Sequence, residues 1–243
     1  MKEAYIKCLK KLREFRKSLN TENDLKRGKL YFTWIRDKTK KIENEKDINY
    51  IYKNIVQYTL KNYKIDKYNY ERLNKQLKNI VKNNYALKKN NYIFNNTNIS
   101  KEDTMLLTKK VLLKRGNVVW IDFGFNIGNE FGGMHPAIIL KNFDNEIFVL
   151  PISSKKPKEY NKLEQDYRNK KITLEECVKK KGQITEIVQI DNIYRFKDMI
   201  RWANITRMKK VSILRLNFNG TIGKVDGKYL STINEKIRTE FFE

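Results

Sequence analysis

Arg115-Gly116-Asn117-Val118-Val119-Trp120-Ile121-Asp122-Phe123 is the stretch on which the fold turns. A charged, glycine-containing step leads into four β-branched or aromatic residues, which is how a strand begins. Val111-Leu112-Leu113 precedes it, and Gly124-Phe125-Asn126-Ile127-Gly128-Asn129-Glu130-Phe131-Gly132-Gly133-Met134-His135-Pro136 follows at once. Four glycines within residues 124–133 exclude a helix or a regular strand, so this is a loop whose backbone runs close to something. Beyond it, Ala137 to Leu140 and Ile147 to Ile152 flank the polar Asn142-Phe143-Asp144-Asn145-Glu146, a hairpin pattern. Ile184 to Ile190 and Val211 to Phe218 are further strand candidates. Between them, Thr173 followed by Glu176 is a capping box and predicts a short helix ending near Gly182. Leu230, Ile233, Ile237 and Phe241 share one helical face, with Asp226 as its N-cap.

Upstream the character changes. Of the 10 glycines only Gly28 precedes Arg115. Tyr5, Leu9, Leu12, Phe15 and Leu19 recur at helical spacing, as do Ile48, Ile51, Ile55 and Tyr58, and then Leu73, Leu77, Ile80 and Leu87. Leu30 to Ile35, with Tyr31, Phe32 and Trp34, completes a small bundle in this reading. Segment 89–104, rich in asparagine, reads as a polar loop or linker. The expectation is α+β: an all-α, basic N-terminal domain over 1–105, then a β-containing domain over 106–243.

The 243 residues carry 52 Lys+Arg against 28 Asp+Glu, a net charge of +24. That excess predicts attraction to a polyanion. It is steepest in residues 1–110, which hold 28 basic and 12 acidic side chains. No run of apolar residues is long enough to span a membrane, and the N-terminus lacks the apolar core of an export signal. Cys8 and Cys177 stand alone, which fits a reduced cytoplasm. Two cysteines and a single histidine, His135, exclude a four-cysteine zinc site and argue against a Cys/His metal site, and no cofactor is expected. Tyr58, Tyr63, Tyr68, Tyr70 and Tyr85 alternate with lysines, a pattern that serves base stacking or core packing. Packing is the simpler role for them and for Trp202.

Chemistry concentrates in the glycine loop. A carboxylate, Glu130, and the only imidazole, His135, stand five residues apart beside backbone N–H groups that a glycine-rich turn can aim at an anion. In so basic a chain that anion is a nucleic-acid phosphate. An imidazole exchanges protons near neutrality. The loop matches neither the Walker nor the dinucleotide pattern.

The order of these residues resembles the MazF/PemK toxins, the toxin halves of bacterial type II toxin–antitoxin pairs. The resemblance is carried by Arg115 to Phe123, by Gly128-Asn129-Glu130-Phe131-Gly132-Gly133-Met134-His135-Pro136 with the strand Ala137 to Leu140, and by Val149-Leu150-Pro151-Ile152-Ser153-Ser154. It is thinner at Ile187 to Ile193 and at Ile222 to Ile237. Residues 1–105 match nothing in the compact toxins. The resemblance implies a small SH3-like β-barrel with appended helices, a homodimer, a cognate acidic antitoxin, and metal-independent cleavage of single-stranded RNA by attack of a 2′-hydroxyl on the adjacent phosphorus. Carried over residue by residue, Glu130 matches the loop carboxylate, a base or orienter, and Ser153 the hydroxyl that hydrogen-bonds the phosphate. His135 stands where most members have a catalytic Arg. Gly132, Gly133, Lys155, Lys156 and Arg195 complete a phosphate-binding set.

The histidine is the main departure. It lacks the bidentate guanidinium fork but is the better proton shuttle. Either His135 serves as acid and base while Lys155 or Lys156 supplies positive charge, or the chain is an inactive nucleic-acid-binding module on the same barrel. A third alternative, a protein target, is disfavoured by the retained Glu130 and Ser153. Asn117, in place of the family's opening Asp, is a milder departure.

Overall fold

Strand β4 (Asn117–Asp122) is the spine of the larger sheet. It is antiparallel to β5 (Met134–Phe143), which pairs antiparallel with β6 (Glu146–Ser153). Strand β6 then changes partners. Glu146 to Val149 pair with β9 (Lys209–Ser212), whereas Ile152 and Ser153 pair with β8 (Arg201–Asn204). Strand β7 (Ile187–Ile190) lies outside β8, and β10 (Gly223–Lys224) lies outside β4. After β9 the chain curls back until Leu216 bridges Ile121 and the Asn217 N–H donates to the Trp120 carbonyl at 2.8 Å. The β4-β5-β6-β9 circuit thereby closes into a small antiparallel barrel. This computed structural model describes residues 2–17, 21–22, 25–26, 28–29, 31–33, 35–36, 60, 63–95, 99–124, 132–143, 146–217 and 220–243.

The two-residue period of the strands sorts their side chains. Val119, Ile121, Ala137, Ile139, Val149 and Val211 face the barrel interior, in one core cluster. Val118, Ile138, Leu150, Ile152, Val188 and Ile190 face outward and are covered by Tyr229 and Ile233 of the C-terminal helix, residues Gly227–Phe242. Asp226 caps that helix by accepting from the Lys228 N–H at 2.9 Å. Gly116 enters β4 at φ +85°, and a Cβ there would lie 2.8 Å from Leu230 Cδ1. The positive φ is what favours glycine at this position, where the helix crosses the sheet.

Upstream of the barrel the helices include α1 (Lys2–Lys17), α2 (Lys67–Glu71), α3 (Lys75–Asn84) and α4 (Lys101–Leu107). The last continues as a π turn, Thr108–Leu112. Phe15 of α1 packs edge-on against Tyr31 at 5.3 Å. The expected stripe Ile48, Ile51, Ile55 and Tyr58, together with Leu19, Leu30 and Trp34, lies outside the described residues. Between the helices sits a sheet of β1 (Ile65–Asp66), β3 (Asn91–Phe94) and β2 (Tyr85–Lys88). Two expectations are corrected here: residues 1–105 are not all-α, and 89–104 is not a linker. Tyr85-Ala86-Leu87-Lys88 and Asn91-Tyr92-Ile93-Phe94 flank Lys89-Asn90, whose φ values of 46° and 63° make a tight two-residue hairpin turn. Leu87 belongs to that strand rather than to the helical stripe ending at Ile80. Of the tyrosines, Tyr70 and Tyr85 are buried and Tyr70 stacks on Tyr92, whereas Tyr68 is exposed.

A helical hairpin is inserted between β6 and β7: α5 (Lys158–Arg168) and α6 (Leu174–Gly182), with the C-terminal helix becoming α7. The capping box at Thr173 and Glu176 forms as expected. Helix α5 begins at Lys158, shortly after the end of β6. Its Tyr160 packs on buried Trp202 with ring centroids 4.9 Å apart. Among the described residues no helix is long and apolar enough to cross a membrane.

Candidate active site

Strand register decides which side chains meet. Ile121 pairs with His135, Ala137 with Pro151, and Ser153 with Trp202. Continued two residues beyond the Ala137–Pro151 pair, this register carries His135 and Ser153 to one face of the sheet at one end of the barrel. At the base of the glycine loop, the Phe123 N–H donates to the Gly133 carbonyl at 2.9 Å, and the Gly133 N–H to the Gly124 carbonyl at 2.6 Å. Gly133 holds φ +77° with open space around it. Glu130 lies outside the described residues.

His135 is half-buried and hydrogen-bonds the backbone of Gly132. Burial pulls its pKa below the usual imidazole value, and the Gly132 hydrogen bond only partly offsets that. Burial thus favours the neutral ring, the form a general base needs. Ser153 Oγ accepts from the Lys155 N–H at 3.0 Å, which fixes the hydroxyl at the strand end and leaves its proton to donate.

The expected cations divide. Lys155 is exposed beside Ser153. Lys156 Nζ is engaged by both Glu164 carboxylate oxygens, at 2.7 and 2.6 Å, and lies 5.9 Å from the Trp202 ring. Arg195 is not brought to this end at all. It donates to the Lys64 carbonyl at 3.0 Å and stacks over Tyr63, while its neighbour Tyr194 bridges Lys224, which pairs with Asn117. Asn117 stands at the far end of β4 from Ile121, roughly 13 Å along the strand at ~3.3 Å per residue.

Arg215 was not singled out from the sequence. Its Nη1 donates to the Asp122 carbonyl at 3.3 Å, and Asp122 pairs with Met134, next to His135. Lys209 Nζ lies 5.3 Å from the Phe123 ring, at the same mouth. No local motif marks either cation. Both arrive because the chain folds back from β9 onto β4, a non-local closure.

Asn117 has a structural explanation. It is buried at the first position of β4, and its Nδ2 donates to the carbonyls of Val111 at 2.9 Å and Leu112 at 2.8 Å. These carbonyls end the π turn. An aspartate carboxylate in that place has no proton to donate.

The sequence profile described as PemK-like, MazF-like toxin of type II toxin–antitoxin system matches residues 114–241. No curated protein matches the sequence. Among solved structures, MazF (form I) from Deinococcus radiodurans is similar, at 12% identity and a TM-score of 0.36, over 53% of this chain and 96% of that one.

Proposed function

The chain belongs to the PemK-like, MazF-like toxin family of type II toxin–antitoxin systems through residues 114–241, and from that premise we propose that it is an endoribonuclease that cleaves single-stranded RNA without a metal ion. Neutral His135 takes the proton from a ribose 2′-hydroxyl. The freed oxygen attacks the adjacent phosphorus, a cyclic phosphate forms, and the 5′-oxygen departs and takes a proton from water. The Ser153 hydroxyl and the Arg215 guanidinium hold the phosphoryl oxygens as charge grows on them. Glu130 orients the loop. A cognate acidic antitoxin and a homodimer belong to the same proposal, as does action in the cytoplasm.

What supports this reading is the strand register, which carries His135 and Ser153 to one end of the barrel. The test is incubation of the purified protein with a long single-stranded RNA in EDTA, beside His135→Ala. Discrete cleavage that survives EDTA and falls by about 10²–10⁴-fold in the variant is the expected result. The loss of the family's arginine and the engagement of Lys156 by Glu164 favour a second reading, a binding module without catalysis. RNA retention without cleavage by the intact protein would select it.

A further inference from the structure

Residues 63–95 carry eight basic side chains against two acidic ones. Both carboxylates are already engaged. Asp66 caps α2 by accepting from the Asn69 N–H and from the Asn69 side chain, each at 2.7 Å, and Glu71 pairs with Lys78 at 3.4 Å. The surplus cations gather around tyrosines. Arg72, just past the end of α2, lies 4.4 Å over the ring of Tyr68, one helical turn back, and Tyr68 is still 62% exposed. Tyr70 of the same helix is buried and stacks on Tyr92 of β3, with centroids 4.1 Å apart and planes inclined by 26°. Lys78 of α3 lies 5.7 Å from the Tyr70 ring. Lys75, Lys78 and Lys82 follow one another at spacings of three and four and so share one face of α3. The charge of Lys82 reaches the Tyr92 hydroxyl. Packing accounts for Tyr70. It does not account for Tyr68, an aromatic ring fixed under a guanidinium in open solvent, among lysines that outnumber the carboxylates.

We infer that this face of α2 and α3 is a second binding surface for single-stranded RNA, in which an unpaired base stacks on Tyr68 beside Arg72 while backbone phosphates run along Lys75, Lys78 and Lys82. Every unpaired base offers a flat π face to an aromatic ring, and an arginine adds cation–π attraction. A duplex hides those faces. An anionic membrane asks for a wider apolar surface than one exposed tyrosine supplies. The surface is separate from the His135 mouth, because Lys64, which leads into α2, accepts from Arg195 away from that end of the barrel. A long strand engaged here is therefore held at a distance from where it is cut. The choice of RNA as the ligand rests on the proposed ribonuclease reading, but binding at this face needs no cleavage.

The experiment measures fluorescence anisotropy of a labelled 2′-O-methyl RNA strand, which lacks the attacking hydroxyl, on the full-length protein. The same strand in a duplex and vesicles containing phosphatidylglycerol serve as competitors. Tyr68→Ala, at an exposed position, should weaken the single strand by about fivefold or more. Tyr68→Phe keeps the ring and should bind like the parent. Lys75→Gln combined with Lys82→Gln should flatten the salt dependence. Duplex binding should not respond to Tyr68→Ala, and ultraviolet cross-linking should mark Tyr68. With a cleavable RNA, Tyr68→Ala should raise KM for a long strand, leave kcat unchanged, and spare a short oligonucleotide. Parental affinity in Tyr68→Ala, an equal loss on single strand and duplex, or displacement by vesicles in preference to RNA would overturn the inference. Binding that depends on Tyr68 without any cleavage would sink the nuclease reading alone, and cleavage with binding indifferent to Tyr68 would sink this one alone.

Discussion

Asn117 and His135 stand where the resemblance implies an Asp and an Arg, and each difference has a chemical consequence. Replacing Asn117 by the family's Asp would put an acceptor-only carboxylate against the Val111 and Leu112 carbonyls in a buried site. The expected cost is about 2–4 kcal/mol, seen as a lower urea midpoint with an unchanged slope. Asn117→Ser should cost less, because it keeps one donor. His135 carries a pH signature. Its pKa is held below the usual 6.5 by burial, so RNA cleavage should be flat at neutral pH and fall tenfold per unit only below that depressed value. The linkage has the same sign: the unfolded imidazole takes up its proton first, so any stability this residue contributes is lost as pH falls through 6.5. A rate that drops already between pH 8 and 7 would assign the base elsewhere. Arg215→Ala should slow cleavage by about 10²-fold or more if its guanidinium meets the phosphoryl oxygens. An unchanged rate would return Arg215 to the plain structural task of holding the Asp122 carbonyl.

Among the elements, those with a local sequence signal were the legible ones. The capping box at Thr173 and Glu176, the Asp226 cap and the β5–β6 hairpin each formed where the residues predict. Helix α5 and strand β8 lacked such signals. The α5 segment opens on Pro157, with no side-chain cap, and β8 is four residues long within a mixed run. The β2–β3 hairpin was masked by overlap: Leu87 continues the helical spacing of Leu73, Leu77 and Ile80, and only the Lys89-Asn90 turn breaks it. The α5–α6 hairpin is held to the β6 end by Glu164, which accepts from Lys156 and from Lys181. Those two ammonium groups pull its pKa from 4.5 to about 2. Its contribution is therefore complete above pH 4.5 and is lost as pH falls toward 2. Since the side chain is 26% exposed, solvent screening holds the effect of Glu164→Gln to about 1 kcal/mol. Thermal melts at pH 7 should register that loss, and the difference from the parent protein should vanish near pH 2. A difference that persisted there would mean the glutamate acts by packing.

Across the whole molecule, the barrel interior is not filled by the barrel alone. Val119, Ile121, Ile139 and Val149 belong to one buried cluster with Leu60, Ile65, Tyr70, Leu77, Val81 and Phe94, reached through Leu107, Val111 and Leu112. Arg195 adds a polar tie by donating to the Lys64 carbonyl, and Asn117 joins the π turn to β4. A boundary at residues 105/106 passes through this cluster, and nothing in the local pattern of 89–104 announces it. The order of contacts explains why: Leu60 and Ile139 are far apart in sequence, and hydrophobic spacing reports only which face of an element is buried, not what covers it. A chain of residues 107–243 would expose the side chains that Leu60 to Phe94 now cover. Each large aliphatic group left bare forfeits about 1.5–3 kcal/mol, against a total stability of about 5–15 kcal/mol for a domain. That shortened chain should be insoluble, or should bind a hydrophobic dye and melt without cooperativity, while a chain beginning just before Leu60 should melt cooperatively. A sharp, two-state transition for residues 107–243 would show instead that the barrel folds by itself and that the upstream helices and sheet only dock on it.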